Sequence, residues 1–353
     1  MAETPGALPA LAAAVAAGQA AAAPSLQAAA GNSAVVLAKI ASAGPEHARR
    51  VAEVPGALAA LVAAVAAGGA AAAPSVQVVA RNSAEALACI ADACPELARR
   101  VAEAPHALRA LVGALATGSA AATPYVQQAA KCCALALACI ADADPDLAQR
   151  VAQVPGVLPV CVAAVAASGA AASPNLQGAA RDSAEVLAHI ASASPELARH
   201  VTEVPSALPA LVAAVAAGGA AAAPSLQDTA TQSAAARAHI ANAGPELARR
   251  VAEVPRALLA LVSALAAGST AAVPSLQKTA RFGALGLANI AQADPELSRR
   301  VTEVPGVLPV LVAAVAAGWR VCGRAQPADC GHKQRSGAGP DRLFRARACA
   351  ACD

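Results

Sequence analysis

The chain has 353 residues, of which 57 % are apolar and only 1 % aromatic, because alanine supplies most of the hydrophobic excess. Such small side chains cannot fill a thick globular core at protein density; they suit helices packed closely in thin layers. Charged residues make up 14 % and the net charge is +3, which excludes a highly charged disordered chain and gives no strong pull toward nucleic acid or acidic lipid.

Mean hydropathy is +0.51, so membrane insertion has to be weighed. The apolar runs, such as residues 55–68, are bounded by proline and glycine. About 14 residues at 1.5 Å each span about 21 Å, short of a hydrocarbon core of about 30 Å. The reading is therefore no membrane segment. The start MAETPG is acidic where a secretory leader needs positive charge. Six cysteines lie in helix-like runs and four near the end, which does not resemble a disulfide framework. Reduced thiols in the cytoplasm follow as the expectation.

The sequence copies itself every 50 residues. One proline recurs as Pro5, Pro55, Pro105, Pro155, Pro205, Pro255 and Pro305, a second as Pro24 to Pro274, a third as Pro45 to Pro295, and a glutamine as Gln27 to Gln277. Such self-similarity means stacked supersecondary units. Proline is tolerated at the first position of a helix and breaks its interior, so three prolines divide each unit into three helices.

In chain order, the array opens with a second-type helix at Thr4-Pro5, without a preceding short one. A short helix is expected over about 45–53 and its copies; the last of these starts with Asp294 as N-cap, Pro295 at the first position and a Glu296–Arg300 pair. The second helix is expected over about 55–67, ending at Gly68 as a C-cap glycine. An alanine loop, 69–73, leads to a long third helix over about 74–92. On this helix, positions equivalent to 26, 30, 34, 37 and 40 are apolar in nearly every unit and share one side. Positions 28, 31, 32, 35 and 39 fall on the opposite side and vary from unit to unit. Stacking would align these varied sides as an exposed ladder. The prediction is an all-α, right-handed solenoid of about six three-helix, 50-residue repeats over residues 1–318, with an extra helix at 305–318.

The short, medium and long helices, with text such as Leu276-Gln277, Ala280, Ala284, Leu287, Asn289-Ile290-Ala291 and Pro295-Glu296-Leu297, resemble the armadillo repeat over about residues 1–318. Words such as Ile190-Ala191 and Ser194-Pro195-Glu196-Leu197-Ala198 look further like armadillo proteins of the ciliary central apparatus. The resemblance implies that third helices line a concave groove for extended peptides. Importin-type grooves pair a Trp with an Asn four residues later; here the Trp places hold Val35, Glu85, Leu135, Glu185, Ala235 and Leu285, and only Asn289 matches an Asn place. Import cargo is thus not implied.

The candidate partner-binding residues are Arg81, Glu85, Lys131, Arg181, Glu185, His189, His239, Arg281 and Asn289. Arg81, Lys131, Arg181 and Arg281 share one rung position, interrupted by Thr231, and read either as a basic strip for an acidic segment or a tubulin-like acidic surface, partly neutralised by Glu85 and Glu185, or as charge that keeps an alanine-coated helix soluble. The column Cys89, Cys139, His189, His239 suggests zinc, but successive helices lie about 8–10 Å apart and four rungs cannot converge on one ion. No GxSxG, Walker or HExxH motif occurs, so no enzyme activity, cofactor or metal is assigned.

Arg237 interrupts the leucine column of Leu37, Leu87, Leu137, Leu187 and Leu287; a guanidinium there must either snorkel to solvent or stay buried as a costly local defect. The repeat stops after Gly318. Residues 319–353 are basic, rich in Cys, Arg and Gly, and read as disordered, with a lone CxxC at Cys349–Cys352. Neither end carries a polar cap, which reads as a piece of a longer array or a tail foreign to it. Two function classes follow: a non-enzymatic scaffold binding protein or peptide segments, without nucleic acid, or a structural array associating end to end, with a ciliary or cytoskeletal site as one setting.

Overall fold

A computed structural model describes residues 6–316 apart from 21–22, 121–122, 170–171, 220 and 270–272. The tail, with Cys322, Cys330, His332, Cys349 and Cys352, lies outside the described residues. Nineteen helices occur among the described residues, and no strand. Short helices are α3 (Pro45–Glu53), α6 (Pro95–Glu103), α9 (Pro145–Ala152), α12 (Pro195–Glu203), α15 (Pro245–Glu253) and α18 (Pro295–Glu303). Second helices are α1 (Ala7–Ala20), α4 (Ala57–Ala67), α7 (Ala107–Ala120), α10 (Val157–Ala166), α13 (Ala207–Ala217), α16 (Ala257–Ser269) and α19 (Val307–Ala316). Third helices are α2 (Pro24–Ser42), α5 (Pro74–Ala93), α8 (Pro124–Ala143), α11 (Pro174–Ala193), α14 (Pro224–Asn242) and α17 (Pro274–Ala293). Each third helix packs against its own second helix, and successive third helices pack on one another from α2 to α17. The chain is an all-α solenoid of repeats.

Two of the three prolines start helices as expected. The first does not: Pro55 sits in a turn closed by Ala57 N–H donating to the Val54 carbonyl at 3.1 Å, and α4 begins only at Ala57. Gly56 has φ +77° and ψ −7°, which is the third position of a type II turn with proline before it. His106, Ser206 and Arg256 hold the same left-handed place without being glycine, at φ 60°, 66° and 63°. The turn bends short helix against second helix by 86° to 89°.

Gly68 is not a left-handed C-cap, since its φ is −82°. Its absent side chain serves packing: a Cβ there would lie 2.0 Å from Ala80 Cβ. Gly118, Gly218 and Gly268 repeat the relation against Ala130, Ala230 and Ala280 at 2.3, 2.1 and 2.4 Å. In α1, α7 and α16 the helix runs on past this glycine. Alanine and glycine thus bring the second and third helices into close contact, the thin-layer packing that the composition implied.

The recurring glutamine is a loop clamp. Gln77 Nε2 donates to the Ala70 and Ala72 carbonyls at 3.2 and 3.0 Å, and Gln177 and Gln227 repeat the bond to Ala172 and Ala222. Its Oε1 accepts from a serine of the next unit, as in Ser173 to Gln127 at 2.7 Å. Arginines tie the short helices together: Arg100, Arg150, Arg250 and Arg300 donate to the Ala52, Ala102, Thr202 and Ala252 carbonyls at 2.9–3.2 Å. The expected Glu296–Arg300 pair gives way to this contact; Glu296 is bound by Arg299 at 2.6 Å instead. Asp294 does cap α18, accepting from Glu296 N–H at 2.8 Å.

Of the two alternatives for Arg237 the structure shows the buried one: its exposure is 0 %. A further sequence expectation fails. The third-helix side read as outer is partly closed, because neighbouring third helices stack flank to flank. Asn82 and Asp182, at position 32, are 1 % and 0 % exposed.

By length and composition alone, α8 is long and apolar enough to cross a membrane, where the second helices are too short; 67 % of its apolar window is buried inside the array.

Candidate functional site

The third helices present their partly open edges side by side, so each rung is set by the residue types at positions 31, 35 and 39. Arg81 is held in place rather than loose. Its Nε donates to Asn82 Oδ1 at 2.8 Å, Nη1 reaches Gln128 at 3.4 Å, and the guanidinium lies 5.8 Å from the Tyr125 ring centroid of the next rung. Asn82 in turn donates to the Gly31 carbonyl at 3.0 Å, across the preceding helix pair. Lys131 lays its stem over Gly178, where a Cβ would come within 2.9 Å of Lys131 Cδ and Cε. Arg281 is exposed.

Arg181 repeats the Arg81 arrangement with a carboxylate. Its Nε donates to Asp182 Oδ1 at 2.8 Å, and the Asp182 charge raises the arginine's pKa. Asp182 is fully buried, and burial outweighs Arg181 to push its carboxyl up to about 6. Its Oδ2 has no hydrogen-bond partner among the described residues. Glu185 is 6 % exposed, so a residue read as groove-facing is mostly enclosed. His189 bridges two rungs, with Nδ1 3.4 Å from Asp142 Oδ1 and Nε2 3.7 Å from Glu185 Oε1. Asp228, on the next rung, is also pushed up by burial.

His239 stands against Phe282, ring centroids 6.4 Å apart. Burial, and then the charge of His189, lowers it to about 4. Asn289 is buried and donates to the Ala238 carbonyl at 3.0 Å, so its amide ties two third helices together. Glu85 is half-buried. Among the described residues no three His, Cys, Asp or Glu side chains converge as a metal site. Burial pushes Cys133 and Cys161 upward, Cys161 to about 12, which leaves both as protonated core thiols.

The face is therefore banded. Position 31 carries Arg81, Lys131, Arg181 and Arg281; positions 35 and 42 carry Glu85, Glu185, Asp92 and Asp142. Tyr125 and Asp142 lie outside the positions that the sequence placed on the outer side; Gln128, Gly178 and Asp182 lie at those positions without being candidates. The Asp92–Asp142 column is visible at the 50-residue period; Tyr125 is a single departure with no periodic signal.

Solved structures decide the fold. A designed armadillo repeat protein aligns with a TM-score of 0.59 and 23 % identity, covering 78 % of this chain and 98 % of its own. The fold is that of armadillo repeat proteins. An engineered protein aligns at 0.60 and 24 %, over 80 % of this chain and 98 % of its own. A designed armadillo repeat protein in complex with the peptide (KR)4 aligns at 0.58 and 24 %, over 79 % and 98 %. No family profile and no curated protein matches the chain. In this array of armadillo-like fold the banded face is the third-helix face, whose rungs recur every 50 residues.

Proposed function

We propose that the chain is a non-enzymatic scaffold that binds extended protein or peptide segments across its third-helix face. The observation that carries this reading is the repetition of part-open polar rungs, at Arg81, Lys131, Arg181 and Arg281, along a rigidly stacked surface. Arg81 and Arg181 are already oriented by Asn82 and Asp182, so binding orders little further side-chain freedom. Acidic groups of the partner would face this row, and the carboxylate band beside it would set the partner's register. A designed armadillo repeat protein of similar fold is in complex with the peptide (KR)4, which supports peptide binding by an array of this type; that peptide is basic, whereas the partner proposed here is acidic. A cytoplasmic setting, cilium or cytoskeleton included, belongs to this proposal.

The test is a display screen of random peptides against the full chain, with hydrogen exchange to map the footprint. The expected footprint is on α5, α8, α11 and α17. Reversing Arg81, Lys131, Arg181 and Arg281 to Glu should abolish binding of acidic peptides. Protection around Arg49 and Glu53 on the short helices instead would overturn the assignment.

A second reading is favoured by one observation. Leu308 and Val312 on α19 are 57 % and 68 % exposed, an apolar edge suited to end-to-end association of copies. A mass that rises with concentration, and falls on changing both residues to Ser, would support it.

A further inference from the structure

Away from the third-helix face, a groove of about 690 Å³ lies between α4 and α7. Its walls are the Ala59, Val62, Ala63 and Ala66 side of α4 and the Ala110, Gly113 and Ala114 side of α7; its floor is Ala80, Val126 and Ala129. The volume lies in the range of small-ligand sites. The polar side chains on the lining are His106, Arg109 and Thr117. Thr117 is satisfied within its own helix, donating to the Gly113 carbonyl at 2.9 Å. Arg109 is exposed and forms no hydrogen bond or ion pair among the described residues.

This lining is peculiar to the third unit. Position 9 of the repeat holds Pro9, Ala59, Pro159, Pro209, Leu259 and Pro309 elsewhere, and Arg109 here. Position 13 is Ala13, Ala63, Ala163, Ala213, Ser263 or Ala313 elsewhere, and Gly113 here. A Cβ at Gly113 would meet nothing within 4 Å, so the glycine leaves open space instead of permitting a close contact.

We propose that this groove binds an unbranched acyl carboxylate. The carboxylate would sit at the N-terminal end of α7, beside Arg109 and His106, where the helix dipole also favours an anion. The chain would run past Gly113 toward Thr117; from residue 106 to 117 the helix rises about 16 Å. The alanine and valine walls offer apolar contact and no hydrogen-bond partners, which suits a chain without polar groups and penalises an extended peptide backbone. A single cation at one end of an apolar trough is the complement of a single-headed amphiphile.

The experiment is titration of the full chain with dodecanoate below its micelle concentration, followed by calorimetry, with dodecanol and dodecylammonium as controls. One dodecanoate per chain is expected, with dodecanol about tenfold weaker, the loss of one charge-assisted bond. Arg109→Glu should reverse the preference, losing dodecanoate and gaining dodecylammonium. Gly113→Leu should abolish binding of all three while leaving the melting temperature unchanged or higher, because leucine is the better helix former and has room. Dodecanoate binding undiminished in Gly113→Leu, or indifference to head-group charge, would overturn the proposal as mere adsorption to apolar surface. So would a Gly113→Leu chain that changes its mass in solution without any change in dodecanoate binding, since the groove would then serve a second copy.

Discussion

Arg237 Nη2 donates to the carbonyl oxygen of Ala257 at 3.0 Å inside a site with no solvent exposure. Its Nε and Nη1 have no acceptor among the described residues, and burial lowers its pKa to about 9. The equivalent leucines, Leu37, Leu87, Leu137, Leu187 and Leu287, are all 0–2 % exposed. The packed residues Val212, Val215, Ala234, Ala257, Ala260 and Ala264 form a small cluster apart from the main core. Arg237→Leu is expected to stabilise the array by about 2–4 kcal/mol, since two unsatisfied donors and a buried charge are replaced by the native apolar solution of the other units. Urea unfolding of both chains measures this. A lower midpoint for the variant would show that Arg237 is held by interactions stronger than its one bond.

Gly118 and Gly113 lie in the same helix and separate two effects that sequence alone confounds. Propensity favours alanine at both by about 1 kcal/mol. At Gly113 the added Cβ meets nothing, so Gly113→Ala should stabilise by about that amount. At Gly118 it would lie 2.3 Å from Ala130 Cβ and 2.6 Å from the Val126 carbonyl oxygen, so Gly118→Ala should destabilise by about 1–3 kcal/mol as the helices are forced apart. Thermal melts of the two variants should move in opposite directions.

The period, the proline pairs at 24 and 45 and the apolar column at 30, 34, 37 and 40 made the solenoid legible, because repetition averages out local noise. Pro55 misled, because a proline before a left-handed residue reads the same as a proline at the start of a helix; His106, Ser206 and Arg256 hid the turn further by not being glycine. Asn82, Asp182 and Asn289 looked outward on a helical wheel, which knows one helix and not the two flanking it. Gln27 and its copies were visible as a column, but a clamp onto alanine carbonyls leaves no complementary residue type to find.

Asp182 and Asn82 occupy equivalent places, each accepting from the arginine before it. Asn82 also donates to the Gly31 carbonyl, whereas Asp182 leaves Oδ2 buried without a partner. Asp182→Asn replaces that oxygen with a donor directed, by the repeat, at the Lys131 carbonyl. It is expected to stabilise the array by about 1–2 kcal/mol at pH 7. The effect should shrink below pH 6. The folded carboxyl, near 6, lies above the usual 3.8, so the native state takes up a proton first and the wild type gains stability as pH falls through that window. Urea midpoints of both chains at pH 7 and pH 4.5 provide the check, and a gap that widens in acid would contradict it.

His239 runs the opposite way. Its folded pKa of about 4 lies below the ordinary 6.5, because burial beside Phe282 and the nearby His189 disfavour the cation. Between those values the unfolded chain binds a proton that the native chain refuses, so stability present above pH 6.5 is lost as pH falls. A depression of this size corresponds to about 2–3 kcal/mol by pH 4.5. Asp182 offsets part of this in the same window, so the clean comparison is made in the Asp182→Asn background. There, His239→Gln should flatten the acid limb of the stability curve. Proton NMR gives the direct reading: the His239 imidazole should stay neutral at pH 5.5 while an exposed histidine is mostly protonated. A His239 titration midpoint near 6.5 would mean that the α14–α17 contact opens in solution and admits water to the ring.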